Sequence, residues 1–356
     1  ILSDIDQANN LVELFLKRAD EKGDAPFLGR KDDGKWVTQS WSEAADQVCL
    51  LAEGLRALGL KDGDRVALVS ENRPEWCIAD LAVMAAGCIT VPTYTTNTER
   101  DHAHILDNSG AHAVIVSDEK LLQPLHGALL STGIAEHVIG IEDLHRKQSG
   151  SFTYHNWSDV LAGDAAAART AVEARLANIT RDTTACIIYT SGTGGAPRGV
   201  KQHHGAILCN SAGAAEILIN DFGVKDERFL SFLPLSHAYE HTGGQYLPIS
   251  VGAEIFYSEG LEKLASNIEE VRPTIMVVVP RLFEVLRTRI MKQVEKQGKF
   301  ANYLMDRALT IAEHKADRGK KRKRDLPMNA VLERTLRPKI RQRVGGRMKA
   351  MVSGGA

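Results

Sequence analysis

The hydrophobic positions of the N-terminal part follow a helical period that gives way to short apolar runs. The apolar residues of Leu11–Leu16 recur with helical spacing behind two asparagines, which predicts an amphipathic helix. Asp33 and Gly34 separate two apolar runs and therefore predict a hairpin. Ser40 and Glu43 have the spacing of a capping box, which predicts the start of a further helix.

Short apolar strands then alternate with helix starts. Pro74 suits the first position of one helix, and Thr98 with Asp101 suits the start of the next. The strands predicted around them are Val66–Val69, Ile89–Val91 and His112–Val116. Because strands that alternate with helices pair in parallel, the predicted fold class is α/β, with doubly wound layered sheets and flanking helices.

The pattern weakens between Lys120 and Ala177 and becomes regular again afterwards. The alanine-rich stretch Ala162–Ala177 is consistent with a solvated helix or with a connector. The strand Ala185–Tyr189 starts a second α/β stretch. We therefore predict a boundary near residue 178, with one subdomain over residues 1–178 and another over residues 179–356 of one large domain.

The second stretch again alternates. His203 and His204 open a helix that runs toward Ile219, with His204 as a cap or first-turn residue. The other predicted elements are strands Phe229–Pro234, Ala253–Tyr257, Thr274–Val279 and Met348–Val352, helix Leu261–Val271, and a long helical region from Pro280.

Composition and charge are those of a globular protein without an obvious nucleic-acid footprint. The 356 residues are 44% hydrophobic and 25% charged, with a formal net charge of −1. The five cysteines are scattered, which favours reduced thiols and argues against a disulfide framework or a zinc site. No apolar run is long enough for a membrane span, and the N-terminus lacks a basic signal-peptide region. These features predict a cytoplasmic location.

One basic run, Lys320–Arg324, stands out. Nucleic acid, an anionic membrane surface and the phosphates of a CoA-type thiol are the functional interpretations, whereas a solvated connection between helices is the favoured one. We expect no nucleic-acid partner, and a peripheral contact with the inner membrane face stays open. The oligomeric state is unknown from the sequence.

The richest chemistry lies in a loop that follows the strand ending at Tyr189. Three hydroxyl residues are followed by a cation, and glycines lie between them; the residues are Thr190, Ser191, Gly192, Thr193, Gly194, Gly195, Arg198 and Gly199. Glycine lets backbone N–H groups approach an anion closely, and hydroxyl groups and a cation add further hydrogen bonds. The loop therefore predicts a phosphate-binding site.

Two other interpretations of the loop are weaker. A surface turn accounts for glycine and serine, but not for hydroxyl groups, glycines and a cation gathered directly after an apolar strand. A Walker loop requires Lys and Ser/Thr after its last glycine, whereas Val200 and Lys201 follow Gly199 here.

The loop resembles the signature of the adenylate-forming (AMP-binding) superfamily, Tyr-Thr-Ser-Gly-Thr-Thr-Gly-x-Pro-Lys-Gly-Val. The matching positions are Tyr189–Thr193, Gly195, Pro197, Gly199 and Val200. Gly194 replaces a threonine of the signature, and Arg198 replaces its lysine. Arg198 keeps the charge but presents a planar fork instead of a compact ammonium group.

A second segment, Leu233–Glu240, resembles the Leu-Pro-Leu-x-His-x-x-Glu motif of the long-chain fatty acyl-CoA synthetase branch. Metal binding by His237 and Glu240 alone is disfavoured, since two ligands do not close a zinc site. The resemblance implies that His237 lies beside the reacting carboxylate and that Glu240 shapes the substrate site. Thr93–Asn97, Val279–Glu284 and the stretch from Gly345 to Ala356 also look like this branch.

The resemblance implies the reaction and its participants. A fatty acid and ATP would give an acyl-adenylate, from which CoA would take the acyl group, with Mg²⁺ as cofactor. Thr190, Ser191, Gly192, Thr193, Gly194, Gly195 and Arg198 would hold the phosphates, with Arg198 in a catalytic role and Thr190 also a metal ligand. His237 would be catalytic and bind substrate together with Glu240, and Gly354, Gly355 and Ala356 would line the acyl or adenine pocket.

The sequence ends two residues after Gly354. The resemblance implies that motifs that hold Mg²⁺ and ribose, and a mobile C-terminal domain, would follow. We therefore expect residues 1–356 to be most of the large N-terminal domain and to be inactive alone. Within the family, an acid:carrier-protein ligase or an aryl-acid ligase is an alternative to a fatty acyl-CoA synthetase. A non-catalytic nucleotide-binding module is an alternative from another class.

Overall fold

The computed structural model describes residues 1–146, 148–191, 195–318 and 325–354, which form two compact units, residues 1–258 and 259–356. The strands of the described residues are β1 Pro26–Asp32, β2 Lys35–Ser40, β3 Arg65–Val69, β4 Ile89–Thr93, β5 Ala113–Val116, β6 His137–Gly140, β7 Gln148–Ser149, β8 Phe152–Asn156, β9 Thr184–Thr190, β10 Arg198–His203, β11 Arg228–Ser231, β12 Glu254–Tyr257, β13 Ile275–Val278 and β14 Ala350–Ser353.

The helices of the first unit alternate with its strands. They are α1 Leu2–Gln7, α2 Leu11–Lys22, α3 Trp41–Ala57, α4 Pro74–Ala85, α5 Glu99–Ser109, α6 Glu119–Thr132, α7 Trp157–Val160, α8 Ala165–Leu176, α9 His204–Phe222, α10 Ala238–Glu240, a π-helical turn His241–Tyr246, and α11 Leu247–Val251. Those of the second unit are a 3₁₀ turn Leu261–Lys263, α12 Leu264–Val271, α13 Pro280–Lys296, α14 Lys299–Arg318, α15 Leu326–Arg334 and α16 Leu336–Arg343.

The first unit contains two sheets that are mostly parallel. In the larger sheet the strand order is β10-β9-β4-β3-β5-β6-β8-β7, and only the outer pairs β9–β10 and β7–β8 are antiparallel. In the smaller one β11, β12 and β1 are parallel, and β2 pairs antiparallel with β1. Helices cover these sheets, which confirms the predicted α/β class.

The core positions follow from the sequence pattern. Every residue of α4 except Glu75 is buried, because this helix packs against β1 of one sheet and against β3 and β4 of the other. A helix that is mostly apolar around its circumference is stable only when other elements cover all of its sides. In contrast, α5 and α6 bury one face each against β3, β5 and β6 and expose the other.

The local signals of the sequence are confirmed where they are strongest. The hairpin β1–β2 turns at Asp33 and Gly34, both with positive φ. The capping boxes Ser40–Glu43 and Thr98–Asp101 start α3 and α5. The alanine-rich stretch forms α8, whose apolar side packs against α3, so it is a half-buried helix rather than a connector.

One local prediction about the glycine loop is wrong. Gly199 belongs to β10 and has extended backbone, so it is not a loop glycine. An added Cβ would lie 2.8 Å from Ile187 and 3.0 Å from the Tyr189 ring. Glycine is therefore needed at this position for close approach of two strands and not for an unusual backbone conformation.

The predicted subdomain boundary near residue 178 lies inside the first unit, in the connection from α8 to β9. The strand β9 pairs with β4, so elements on both sides of residue 178 share one sheet. The division into subdomains at this position stays a prediction. In the second unit β13 and β14 form a parallel pair, and apolar residues of α13–α16 form a cluster of their own.

Candidate functional site

The glycine loop and the segment Thr93–Asn97 meet because β4 and β9 are parallel neighbours. The carboxyl ends of parallel strands lie at the same edge of a sheet, where α/β proteins bind their ligands. Thr190 ends β9 and Thr93 ends β4. Two motifs that are about a hundred residues apart in the sequence therefore share one edge.

The glycine loop is closed by a hairpin. Thr190 and Arg198 are opposite each other in the antiparallel pair β9–β10, and both are exposed. Gly195 has a φ of +139°, a conformation that side chains rarely adopt. The guanidinium of Arg198 has no partner among the described residues and is available for an anion.

His237 faces this loop from the segment after β11. It caps α10, since its Nδ1 accepts a hydrogen bond of 3.1 Å from the Tyr239 N–H. An accepting Nδ1 carries no proton, so the neutral ring holds its proton on Nε2. The exposed Nε2–H of His237 is therefore a hydrogen-bond donor for a ligand.

The segment before His237 is fixed by Asn72, which follows β3. The Asn72 amide donates to the Leu233 carbonyl at 2.7 Å and to Ser231 Oγ at 3.1 Å. Its Oδ1 accepts from the Leu235 N–H at 3.1 Å. These three hydrogen bonds hold the segment before His237 at the sheet edge where β3 ends.

Glu240 lies behind His237 and not in the cavity. Its side chain is buried, Oε1 accepts a hydrogen bond of 2.7 Å from Ser231, and Oε2 has no partner among the described residues. Burial raises the pKa of Glu240 to about 8, although the Ser231 hydrogen bond lowers it. Glu240 is therefore mostly uncharged at neutral pH. A Cβ at Gly244 would lie 2.0 Å from its Oε1, so only glycine fits there.

A buried ion pair holds the π-helical turn that follows. Asp80 Oδ2 on α4 accepts from His241 Nε2 at 2.7 Å, from Gln245 at 2.8 Å and from the Tyr246 hydroxyl at 2.6 Å. Burial alone lowers the pKa of His241, but the Asp80 charge and hydrogen bond raise it to about 10. The Asp80 carboxylate thus favours the charged form of His241. Its backbone N–H donates to the His237 carbonyl at 2.9 Å.

These elements enclose a cavity of about 450 Å³. Its lining combines aromatic and aliphatic side chains with hydroxyl, amide, carboxylate and imidazole groups: Tyr94, Asn97, Asp101, Ile105, Ile188, Tyr189, Thr190, Ser191, Pro197, His237 and Ala238. An apolar cavity with a few convergent polar groups is typical of a small-molecule site.

The cavity brings together three of the predicted site residues, Thr190, Ser191 and His237. Arg198 and Gly195 flank the same loop. Gly354 lies in the second unit, where its N–H donates to the Val278 carbonyl. The predicted roles of Gly192, Thr193, Gly194, Gly355 and Ala356, and the basic run Lys320–Arg324, fall outside the described residues.

Sequence reasoning missed Asp101 and Ile105 of α5 as lining residues and Asp80 as the partner of His241. Asp101 was identified only as a capping residue, and its capping hydrogen bonds from Thr98 hold its pKa below the usual range. The signal that could have revealed α5 is its position directly after β4, since the helix after a strand starts at the ligand edge of the sheet.

The fit of a metal ion rests on few groups. Thr190 offers one hydroxyl oxygen, a ligand that suits Mg²⁺. Among the described residues no group of three or more His, Cys, Asp or Glu side chains could hold a metal ion. Mg²⁺ usually keeps several waters and binds substrate phosphates, so the phosphate oxygens of a nucleotide would supply further ligands.

The fold and the cavity at the strand ends define an α/β protein with a small-molecule site beside a glycine-rich loop. The chain matches the family model of the AMP-binding enzyme over residues 15–356. It therefore belongs to the AMP-binding enzyme family, which confirms the resemblance found in the sequence. None of the described helices is long and apolar enough to cross a membrane.

The curated relatives include fatty acid ligases from bacteria and plants. The chain is 29% identical over 360 residues to the long-chain-fatty-acid–CoA ligase FadD15 of Mycobacterium tuberculosis, covering 99% of this chain and 57% of that protein. It is 30% identical over 362 residues to the long chain acyl-CoA synthetase 1 of Arabidopsis thaliana, covering 97% and 53%. The chain thus spans about half the length of the curated relatives it matches.

Solved structures share the fold at lower identity. The adenylation domain of a carboxylate reductase from Mycobacterium chelonae has a TM-score of 0.70 and 20% identity, covering 100% of this chain and 55% of that chain. An anthranilate CoA ligase, AuaEII, in complex with anthranoyl-AMP has a TM-score of 0.64 and 20% identity, covering 79% and 51%. At this identity the likeness shows the fold alone.

Proposed function

We propose that the full-length protein containing this chain activates a fatty acid with ATP and transfers the acyl group to CoA. A carboxylate oxygen attacks the α-phosphorus of ATP, and the bond to pyrophosphate breaks, which gives an acyl-adenylate. The CoA thiol then loses its proton and attacks the acyl carbonyl, and AMP leaves. The names of the curated relatives support the substrate class.

The observation that carries this proposal is the single cavity shared by the Thr190 and Ser191 hydroxyls and by His237. Anion-binding groups thus lie beside a donor suited to a carboxylate. The hydroxyls of Thr190 and Ser191, with Gly192, Thr193, Gly194 and Gly195, would hold the β- and γ-phosphates. Arg198 would add a charge-assisted bond, and each such bond contributes about 1.5–3 kcal/mol.

The remaining roles concern the acyl group and the metal. The His237 Nε2–H would orient the carboxylate of the fatty acid for in-line attack, since a weak nucleophile depends on positioning. Glu240 would shape the site from behind His237 and not touch the substrate. Gly354, Gly355 and Ala356 would line the acyl or adenine pocket. Mg²⁺, with Thr190 as one ligand, would neutralise phosphate charge.

Pyrophosphate exchange tests the reaction and the substrate class together. We expect the full-length protein to exchange labelled pyrophosphate into ATP when a long-chain fatty acid is present, and not with benzoate or anthranilate. Exchange with the aryl acids alone would favour an aryl-acid ligase. Nucleotide binding without any acid-dependent exchange would favour a non-catalytic nucleotide-binding module.

A matched pair of histidine variants tests the role of His237. His237→Ala is expected to lower fatty-acid-dependent exchange at least about tenfold, the effect of one hydrogen bond to a charged group. His145→Ala is the control, because His145 lies on an exposed loop outside the cavity and its side chain pairs with Asp143. Equal exchange rates in both variants would remove His237 from the reaction.

The proposal includes a location in the cytoplasm with peripheral contact to an anionic membrane face, and the charge of the second unit supports this contact. Residues 259–356 carry 23 Lys and Arg against 11 Asp and Glu, a formal charge of +12, whereas residues 1–258 carry 21 against 34, a charge of −13. At the start of α14, Phe300 and Tyr303 are 68% and 52% exposed, next to Lys299. Exposed aromatic rings flanked by cations suit a lipid interface.

Vesicle sedimentation tests this contact. The full-length protein is expected to bind vesicles that contain anionic phosphatidylglycerol, with binding that falls as salt rises, and not vesicles of phosphatidylcholine alone. Phe300→Ser with Tyr303→Ser should weaken binding, whereas Val37→Ser, an exposed apolar position on β2, should not. Equal binding to charged and uncharged vesicles would contradict the proposal, and so would unchanged binding after substitution of Phe300 and Tyr303.

A further inference from the structure

The helix α5 contacts the chain on both sides of the glycine loop. On the side that enters the loop, the Tyr189 hydroxyl donates a hydrogen bond of 2.7 Å to Asn108 Oδ1. On the side that leaves it, His104 Nε2 lies 2.8 Å from the Pro197 carbonyl oxygen. A carbonyl only accepts, so His104 donates this bond.

His104 also links the two sides directly. Its ring packs edge-on against the ring of Tyr189, with 6.2 Å between centroids and an interplanar angle of 87°. The strand β10 also approaches the Tyr189 ring closely, at Gly199. The same imidazole thus contacts the residue before the loop through its ring and the residue near its end through its proton.

Nothing local in the sequence requires these contacts. His104 and Pro197 are 93 residues apart, and Asn108 and Tyr189 are 81 residues apart. The helix is already stable at its start through the Thr98–Asp101 capping box, and its buried residues Ile105 and Leu106 pack it on the sheet. The polar contacts of His104 and Asn108 are therefore not needed to stabilise α5, and their effect falls on Pro197 and Tyr189.

We infer that His104 and Asn108 are positioning residues that clamp the chain at Tyr189 and Pro197. The clamp holds the adjacent residues Thr190, Ser191 and Arg198 in the geometry that binds the triphosphate of ATP. The inference rests on the proposed function for the identity of the ligand. Residues that are already fixed before the ligand arrives lose less entropy on binding, so the clamped residues bind the ligand more tightly. The clamp also limits the positions of Thr190 and Ser191, because they are the two residues after Tyr189.

Trypsin cleavage after Arg198 reports on the clamp independently of any activity. Arg198 is exposed and directly follows Pro197, so release of the Pro197 carbonyl should increase opening at this site. In full-length protein without ATP, His104→Leu is expected to raise the rate of this cleavage about threefold to tenfold, the effect of one lost hydrogen bond. His104→Gln keeps a donor at similar reach and should restore the rate to near that of the wild type.

Steady-state kinetics test whether the clamp contributes to the binding of ATP. His104→Leu and Asn108→Leu should raise the KM for ATP about threefold to tenfold and change the KM for fatty acid by less than about twofold. His104→Gln and Asn108→Asp, which keeps an acceptor for Tyr189, should be close to wild type. Asp107→Ala is the control, because Asp107 is exposed on the same helix and outside the cavity.

The outcomes separate the clamp from the proposed function. Unchanged cleavage after Arg198 in His104→Leu would overturn the clamp, and so would faster cleavage without a change in the KM for ATP. Equal loss in His104→Leu and His104→Gln would also count against it, since a merely structural disturbance would not be rescued by a donor. A wild-type protein that neither binds ATP nor exchanges pyrophosphate would instead remove the proposed function, and with it the ligand assigned to the clamp.

Discussion

Asp80→Ala is expected to destabilise the protein by about 3–5 kcal/mol near pH 6, because removal of one partner leaves a buried charge without compensation. Asp80 and His241 are both fully buried, and the carboxylate accepts three hydrogen bonds. The loss of the carboxylate leaves the His241, Gln245 and Tyr246 donors without this acceptor. The free energy of unfolding in urea measures the effect.

The sign of the pH dependence distinguishes this loss from a packing defect. The pKa of His241 is raised to about 10 from 6.5, so its contribution to stability is fully present below about pH 6.5 and is lost as pH rises through 10. Burial raises the pKa of Asp80, but the charge of His241 and the hydrogen bonds from His241, Tyr246 and Thr90 together lower it below its usual value. Its contribution is therefore present above about pH 4 and is lost in acid.

The difference between wild type and Asp80→Ala should thus be largest between about pH 4 and 6.5 and shrink toward pH 9. Leu81→Ala on the same helix is the control, since it opens a cavity in the core without changing a titrating group. A difference for Asp80→Ala that stays constant over this range, as for Leu81→Ala, would contradict a buried ion pair.

Glu240→Gln is expected to have the second largest effect, with the opposite dependence on pH. Burial raises the pKa of Glu240 to about 8 from 4.5. The contribution of Glu240 to the stability of the folded protein is therefore fully present below about pH 4.5 and is lost as pH rises to 8. One pKa unit corresponds to about 1.4 kcal/mol, and the loss over this range is therefore about 4–5 kcal/mol. Glutamine does not titrate and keeps an oxygen that can accept from Ser231.

Between about pH 5 and 8, the free energy of unfolding of the variant should increase relative to that of the wild type by about 1.4 kcal/mol per pH unit. The difference in free energy of unfolding at any single pH depends on the hydrogen bonds that the buried glutamine amide makes. The change of this difference with pH does not. Glu216→Gln at an exposed position of α9 should show no such gain. Parallel pH profiles for wild type and Glu240→Gln would mean that Glu240 is ionised in the folded protein.

Both predictions concern residues that support the segment around His237. The sequence did not reveal that Asp80 pairs with His241 or that Glu240 pairs with Ser231. The pattern Leu233–Glu240 pointed to His237 and Glu240 together. The tertiary structure separates them, because only His237 lines the cavity while Glu240 is buried against Ser231. His237 is the cap and lies outside the helical turn, whereas Glu240 belongs to it.

The sequence by itself determined the features that arise from neighbours along the chain. The hairpin at Asp33 and Gly34, the capping boxes of α3 and α5 and the alternation of strands and helices depend on interactions a few residues apart. The glycine loop was also evident, because its chemistry is contained in one short stretch. From these features the α/β class, the family and the location of the candidate site could be predicted.

Only the tertiary structure decided which distant residues support that site. The pairing of β4 with β9, the ion pair between Asp80 and His241 and the contact of His104 with Pro197 join residues that are far apart in sequence. Each depends on how strands are ordered in the sheet, and strand order is set by burial of the whole chain. A local pattern specifies which face of an element is apolar, but it does not specify which partner will cover that face.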